Sequence, residues 1–145
     1  MKFLSGRFLV TLLILILLGQ LAWVKLYASS VALPPFFLEF DALLHFGGGM
    51  LTGLVGLRWL RERLGTDVDV RRTYVAIIGM LGFVALVGVS WEIYEFLLDR
   101  FFSSALGFSN QPSLADTISD LFFDIFGGAA ALLLSLRAAL TLRRQ

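Results

Sequence analysis

Ionisable side chains recur at helical spacing inside segments of this chain that otherwise read as lipid-soluble. They form three short series: Asp41 with His45, Glu92 with Glu95, and Asp116 with Asp120 and Asp124. Residues three or four positions apart lie on one face of an α-helix. A carboxyl or imidazole group inside a bilayer is costly, so each series needs either partners or a chemical role.

The residue types limit the chemistry that these series can support. Carboxylates with one imidazole suit hard or borderline divalent cations, namely Mg²⁺, Mn²⁺, Ca²⁺ or Zn²⁺. The expected ligands are the histidine and the four acids that lie deepest in the apolar segments: His45, Glu92, Glu95, Asp120 and Asp124. Asp41 and Asp116 are expected at the rim of the site or behind its ligands. A cation held there could activate water, and the candidates for catalytic acid–base work are Glu92, Glu95 and Asp120.

The composition excludes several other kinds of site. The 145 residues include no cysteine, so disulfides, thiol nucleophiles and thiolate metal sites are impossible. We find no Ser-His-Asp motif, phosphate-binding loop or HExxH pattern, and we expect no organic cofactor. The net charge is only +1, and nothing in the sequence resembles a nucleic-acid-binding surface.

Four long apolar segments must position the ionisable series. Hydrophobic residues make up 58% of the chain and charged residues 16%, whereas soluble domains average about 45–50% and about 25%. The pattern predicts an all-α fold, a polytopic transmembrane bundle of about four helices in a single domain (1–145). The predicted helices span residues 8–26, 41–60, 73–98 and 117–136, and a lid-like outer loop spans 100–116.

The first segment allows two interpretations. Its basic start, apolar stretch and the small residues Ala28, Ser29 and Ser30 also fit a cleaved signal peptide. Trp23 and Tyr27 extend the segment with residues typical of a membrane interface, which favours a retained helix.

The basic residues predict how the segments cross the membrane. Lys2 and Arg7 precede the first segment, five arginines surround the connection between the second and third, and three follow the fourth. Lys25 and Arg100 alone fall on the other side. The positive-inside rule therefore predicts a multi-pass protein of the cell (cytoplasmic) membrane with both termini in the cytoplasm.

This orientation gathers the acids on the outer side. Eight of the eleven carboxylates lie toward it: Glu39, Asp41, Glu92, Glu95, Asp99, Asp116, Asp120 and Asp124. From the helical rise, we expect His45, Glu92 and Asp124 at similar depths, roughly 6 to 10 Å from the outer helix ends. So many carboxylates at close range require either that some are protonated or that a bound cation compensates.

Small residues continue the same helix faces. Gly49 and Gly53 follow Asp41 and His45 in steps of four residues, and Gly127 follows the acids of the fourth segment. Small residues four apart let helices approach closely. The polar faces are therefore expected to point into the bundle.

Three functions remain open on the residues alone. The leading hypothesis is an outward-facing acidic and imidazole site that binds a divalent cation and supports chemistry on a lipid or cell-envelope precursor. The first alternative is a transporter or proton-relay subunit that uses buried carboxylates. The second is an accessory membrane protein whose acids form a structural hydrogen-bond network, with His45 as a packing residue and Asp116 as a helix N-cap. The sequence leaves open whether the protein is an enzyme and whether copies associate.

The ordered set of motifs resembles a known family. The resemblance to YjdF-like bacterial and archaeal membrane proteins covers about residues 41–134 and rests on Asp41-x-x-x-His45-Phe46-x-Gly48-Gly49, Trp91-Glu92-x-x-Glu95 and Asp116-Thr117-x-x-Asp120-x-x-x-Asp124-x-x-Gly127. That family is similar to the VanZ-like proteins, some of which are linked to teicoplanin resistance. VanZ-like proteins commonly have Lys at the position of Ala42 and Asn at that of Asp124, and they pair Glu with Gln where this chain has Glu92 and Glu95. The resemblance therefore favours the YjdF-like branch, and it implies a four-helix membrane protein without an established catalytic residue.

Overall fold

The computed structural model describes residues 4–28, 40–64, 74–106, 110, 111 and 113–142, which are almost entirely helical. The helices are α1 (Gly6–Ala28), α2 (Phe40–Leu64), α3 (Tyr74–Leu106) and α4 (Leu114–Leu142). Each contains a stretch that is long and apolar enough to cross a membrane. The protein is an all-α, four-helix membrane bundle, which confirms the predicted fold class.

Serine side chains cap two of these helices. The hydroxyl oxygen of Ser5 accepts a hydrogen bond from the backbone N–H of Phe8 at 3.3 Å, and that of Ser113 accepts one from Asp116 at 3.2 Å. Such an oxygen satisfies an N–H group that the first helical turn leaves unpaired. Ser113 is therefore the N-cap of α4, which corrects the N-cap role considered for Asp116.

Helix α3 continues past its predicted end at residue 98 to Leu106. The predicted outer loop begins at Arg100, but a charged residue does not interrupt a helix, and the next helix-breaking residue in the sequence is Gly107. At 33 residues, α3 is about 50 Å long and exceeds the hydrocarbon thickness of about 30 Å.

The connection predicted over residues 100–116 is correspondingly shorter, because both ends of that range are helical. The middle of this predicted lid (107–109), the segment 29–39 and the turn 65–70 lie outside the described residues. The single-domain organisation and the lid role remain predictions.

The most extensive contact between helices joins α2 to α4. A Cβ atom on Gly49 would overlap the backbone of Asp124, and a Cβ atom on Gly127 would overlap the carbonyl oxygen of Phe46. The two backbones can touch only because both positions are glycine. This crossing brings His45, one turn before Gly49, next to Asp124.

The half of the bundle away from His45 has an apolar interior. Arg58 Nη1 donates to the carbonyl oxygen of Leu4 at 3.3 Å, which ties the start of α1 to α2. A cluster of buried apolar side chains lies near this end: Leu4, Leu9, Leu54, Leu57, Met80, Ala131 and Leu132. Because His45 lies about 13 Å before Leu54 along α2, the polar series occupies the other half of the bundle.

Candidate functional site

Six ionisable side chains from three helices meet in one place, and we call them the His45 cluster: Asp41, His45, Glu92, Glu95, Asp120 and Asp124. Helices α2, α3 and α4 contribute two each. All are buried except Asp41, which is partly buried but has a fully buried Oδ1 atom. The helix faces predicted from residue spacing therefore converge.

His45 lies between two carboxylates. Its Nδ1 atom is 3.3 Å from Asp124 Oδ2, within hydrogen-bond reach, and its Nε2 atom is 3.9 Å from Glu92 Oε1, which is too long for a hydrogen bond. If Nδ1 carries the ring proton and donates a hydrogen bond to Asp124, the lone pair of Nε2 faces Glu92. A ring nitrogen oriented in this way by a carboxylate is the usual form of a metal-binding histidine.

Gly88 of α3 makes the placement of Asp124 possible. A Cβ atom at Gly88 would collide with the carboxylate of Asp124, so the side chain uses the space that glycine leaves. The close approach at Gly49 fixes the backbone of Asp124 from the other side. Asp124 is thus held between two helices with its carboxylate directed at His45.

Glu92 is held by a residue that the sequence analysis did not identify. Gln111 Nε2 donates to Glu92 Oε2 at 2.7 Å and to the Glu92 carbonyl oxygen at 2.9 Å. The other carboxylate oxygen, Oε1, is fully buried and has no hydrogen-bond partner among the described residues. Gln111 therefore orients the Glu92 carboxylate so that one oxygen remains available toward His45.

Asp99 holds the segment that carries Gln111. Its Oδ1 atom accepts hydrogen bonds from the backbone N–H of Asn110 at 2.9 Å and from the side-chain amide of Asn110 at 2.7 Å. Its Oδ2 atom accepts one from the backbone N–H of Gln111 at 2.8 Å. Asp99 therefore binds the chain between α3 and α4 back onto α3. A group of polar residues just before an apolar helix was the only sequence signal for this contact.

Glu95 lies one turn beyond Glu92 and is oriented from its own helix. Trp91 Nε1 donates to Glu95 Oε1 at 2.9 Å. The tryptophan side chain is partly exposed on the bundle surface, whereas Glu95 is 4% exposed. The Trp-Glu-x-x-Glu motif thus places a hydrogen-bond donor beside its second acid.

Two groups within the cluster bring potential ligand atoms within 4.8 Å of one another: Asp41, His45 and Asp120, and His45, Glu92 and Glu95. Ligand atoms bound to one ion at about 2.0–2.6 Å are separated by at most roughly 5 Å. Both groups contain His45, so they adjoin at the imidazole ring. Asp124 contacts the other nitrogen of the ring, and Asp116 lies outside both groups, in the first turn of α4.

The cluster has an excess of negative groups. Five carboxyl groups surround one imidazole, and no lysine or arginine in the described parts of the chain forms an ion pair with them. Buried carboxylates are stable only with compensating protons, donors or cations. The geometry can therefore bind a proton or a metal cation.

The chain matches one family of known proteins. Residues 2–140 match the family described as Predicted membrane protein (DUF2238). No curated protein and no solved structure matches the chain. The YjdF-like resemblance is consistent with the family match, whereas a similarity to VanZ-like proteins is not shown. With nearly its whole length matched, the chain belongs to the DUF2238 family of predicted membrane proteins.

Proposed function

We propose that the His45 cluster binds one divalent cation, Mg²⁺, Mn²⁺, Ca²⁺ or Zn²⁺, in the outer half of the cytoplasmic membrane. The observation that carries the proposal is a pair of buried carboxylate oxygens, Glu92 Oε1 and Asp41 Oδ1, without a donor among the described residues. A buried acceptor without a partner is costly. A cation beside His45, the residue shared by both groups, would compensate the negative charge of these carboxylates.

The proposed roles differ among the six side chains. His45 Nε2 and carboxylates of the two groups are the ligands: Asp41, Glu92, Glu95 and Asp120. Asp124 orients the imidazole through Nδ1, and Gln111 orients Glu92. This assignment exchanges the sequence-based roles of Asp41 and Asp124. A bound cation would supply Lewis acidity and water activation for chemistry on a lipid or cell-envelope precursor.

Metal titration of the purified protein tests the proposal. After removal of metals with a chelator, we expect the protein to bind a stoichiometric amount of Mn²⁺ or Zn²⁺, measured by calorimetry and elemental analysis. Glu92→Gln and Asp120→Asn each remove a ligand charge and should weaken binding by at least about 100-fold, more than changes to outer partners do.

Glu62→Gln is the matched control, because Glu62 pairs with Arg58 on the surface and lies outside the cluster. It should bind the cation as the natural protein does. A natural protein that binds no divalent cation, or cluster variants that bind it as well as Glu62→Gln does, would refute the proposed site.

The outward orientation of the site has its own test. Because the chain has no cysteine, single cysteines can be labelled without background. In intact cells, Gly107→Cys should react with a membrane-impermeant maleimide, whereas Gly65→Cys should react only after permeabilisation. The reverse pattern would place the His45 cluster on the cytoplasmic side.

A transporter or proton-relay role is less well supported. Such a role needs polar groups leading from the cluster to the other side of the membrane. The described residues beyond the cluster include a buried apolar group around Leu54, Met80 and Leu132. Apolar packing around these three residues favours a site that opens to only one side of the membrane.

A further inference from the structure

A cleft between α3 and α4 lies beside Glu92 and has a volume of about 440 Å³. Its walls come from the membrane-spanning parts of both helices and from the chain between them. Ile93, Phe96 and Leu114 line it and are largely exposed on the bundle surface. The cleft therefore opens sideways, toward the acyl chains of the bilayer.

The lining of the cleft is divided into a polar and an apolar part. Glu92, Gln111, Ser113 and Thr117 supply carboxyl, amide and hydroxyl groups. Apolar side chains form the other part: Val89, Ile93, Phe96, Leu114 and Leu121. This division matches a molecule with a polar head and a hydrocarbon chain.

The size of the cleft also fits such a molecule. Ligand sites usually have volumes of about 300–1,000 Å³, and this cleft lies within that range. A second cleft is lined mainly by α1, α2 and α3, with Asp124 of α4. Its volume of about 170 Å³ is too small. Of these two, the cleft at Glu92 is the one that can hold a large part of a lipid.

We propose that the cleft at Glu92 binds one phospholipid with an ammonium headgroup, such as phosphatidylethanolamine. The acyl chain lies along Ile93, Phe96 and Leu121. The head lies at Gln111 and on the Oε2 side of Glu92, because Oε1 is buried toward His45. No basic side chain lines the cleft in the described parts of the protein, so its own groups favour a cationic amine over an anionic head. Binding of the lipid in the cleft does not depend on the proposed cation site. The inference rests on that site only where it makes the bound lipid the candidate substrate.

Native mass spectrometry of the detergent-purified protein tests the cleft. We expect retention of one phosphatidylethanolamine and at least about tenfold weaker retention of phosphatidylglycerol, equal to about 1.4 kcal/mol. Leu121→Trp fills the cleft and should abolish retention. Phe122→Trp, at an exposed position of the same helix that does not line the cleft, should retain the lipid as the natural protein does. Equal retention by both variants, or equal retention of both lipids, would overturn the proposal.

A second measurement uses the natural protein, in case Leu121→Trp does not fold. Phosphatidylethanolamine with a photoreactive acyl chain should crosslink to Ile93, Phe96 and Leu121 in preference to the exposed residue Phe122, which does not line the cleft. Uniform crosslinking would contradict the cleft. Selective lipid binding without metal binding would refute the cation site alone, and metal binding without selective lipid binding would refute the cleft alone.

Discussion

Replacing Gly49 with alanine is expected to destabilise the bundle by about 1–3 kcal/mol or more, the range for forcing extra atoms into a packed contact. A Cβ atom at this position would overlap the backbone of Asp124, which is rigid and cannot rotate away as a flexible side chain could. Helices α2 and α4 must therefore separate. The free energy of unfolding in detergent micelles, measured by chemical titration with circular dichroism, checks this result.

Gly127→Ala should have a similar effect, because its Cβ atom would overlap the carbonyl oxygen of Phe46. The matched control is Gly82→Ala in α3, where a Cβ atom would meet no atom within 4 Å among the described residues. That variant should be at least as stable as the natural protein, because alanine favours a helix more than glycine does. Equal stability of the Gly49 and Gly82 variants would show that the α2–α4 crossing is not as close as described.

Replacing His45 with glutamine is expected to reduce the affinity for the divalent cation by at least about 100-fold, more than the loss of an outer hydrogen-bond partner. Glutamine keeps an amide that can donate a hydrogen bond toward Asp124, but it has no imidazole nitrogen to bind the cation. Isothermal titration with Zn²⁺ or Mn²⁺ gives the affinity. Unfolding without metal gives the stability separately.

Asp124→Asn and Gln111→Ala provide the graded comparison for the histidine variant. Each removes a group that orients a proposed ligand, and such changes typically cost about 10–100-fold in metal affinity. If the cluster is only a structural hydrogen-bond network, the three variants should lower stability and leave any metal binding unchanged. That outcome would support the accessory-protein alternative.

The residue spacing was sufficient to predict which helix faces meet. Four-residue steps place His45 and Gly49 on one face, and the polar and small residues of a membrane helix face the bundle interior. The spacing alone therefore predicts that His45, Glu92 and Asp124 meet in the interior of the bundle. The fold class followed from the same hydropathy pattern and is confirmed.

The roles within the cluster could not be obtained from spacing. Periodicity gives the face of a helix but not the rotamer of a side chain or the rotation of one helix against another. Asp124 contacts the Nδ1 side of His45, because the glycines at positions 49 and 88 leave room for its backbone and carboxylate. Asp41 lies with Asp120. Such contacts depend on distances of a few tenths of an ångström.

Helical periodicity in the sequence cannot predict the contact between Gln111 and Glu92. It belongs to the connection between α3 and α4, and its position depends on hydrogen bonds to Asp99 rather than on helical spacing. The sequence identifies Asp99 only as one of eight acids toward the outer side. Its role in holding the connection becomes visible only when the backbone N–H groups of residues 110 and 111 are located.

The most direct test of the central claim is pulsed electron paramagnetic resonance of Mn²⁺ bound to the purified protein. If the His45 cluster holds the cation, the spectrum should contain the coupling of one directly bound nitrogen, because His45 is the only histidine in the chain. The coupling should disappear in His45→Gln at Mn²⁺ concentrations high enough to restore binding, and it should persist in Glu62→Gln. Bound Mn²⁺ without nitrogen coupling in the natural protein would contradict the proposed site.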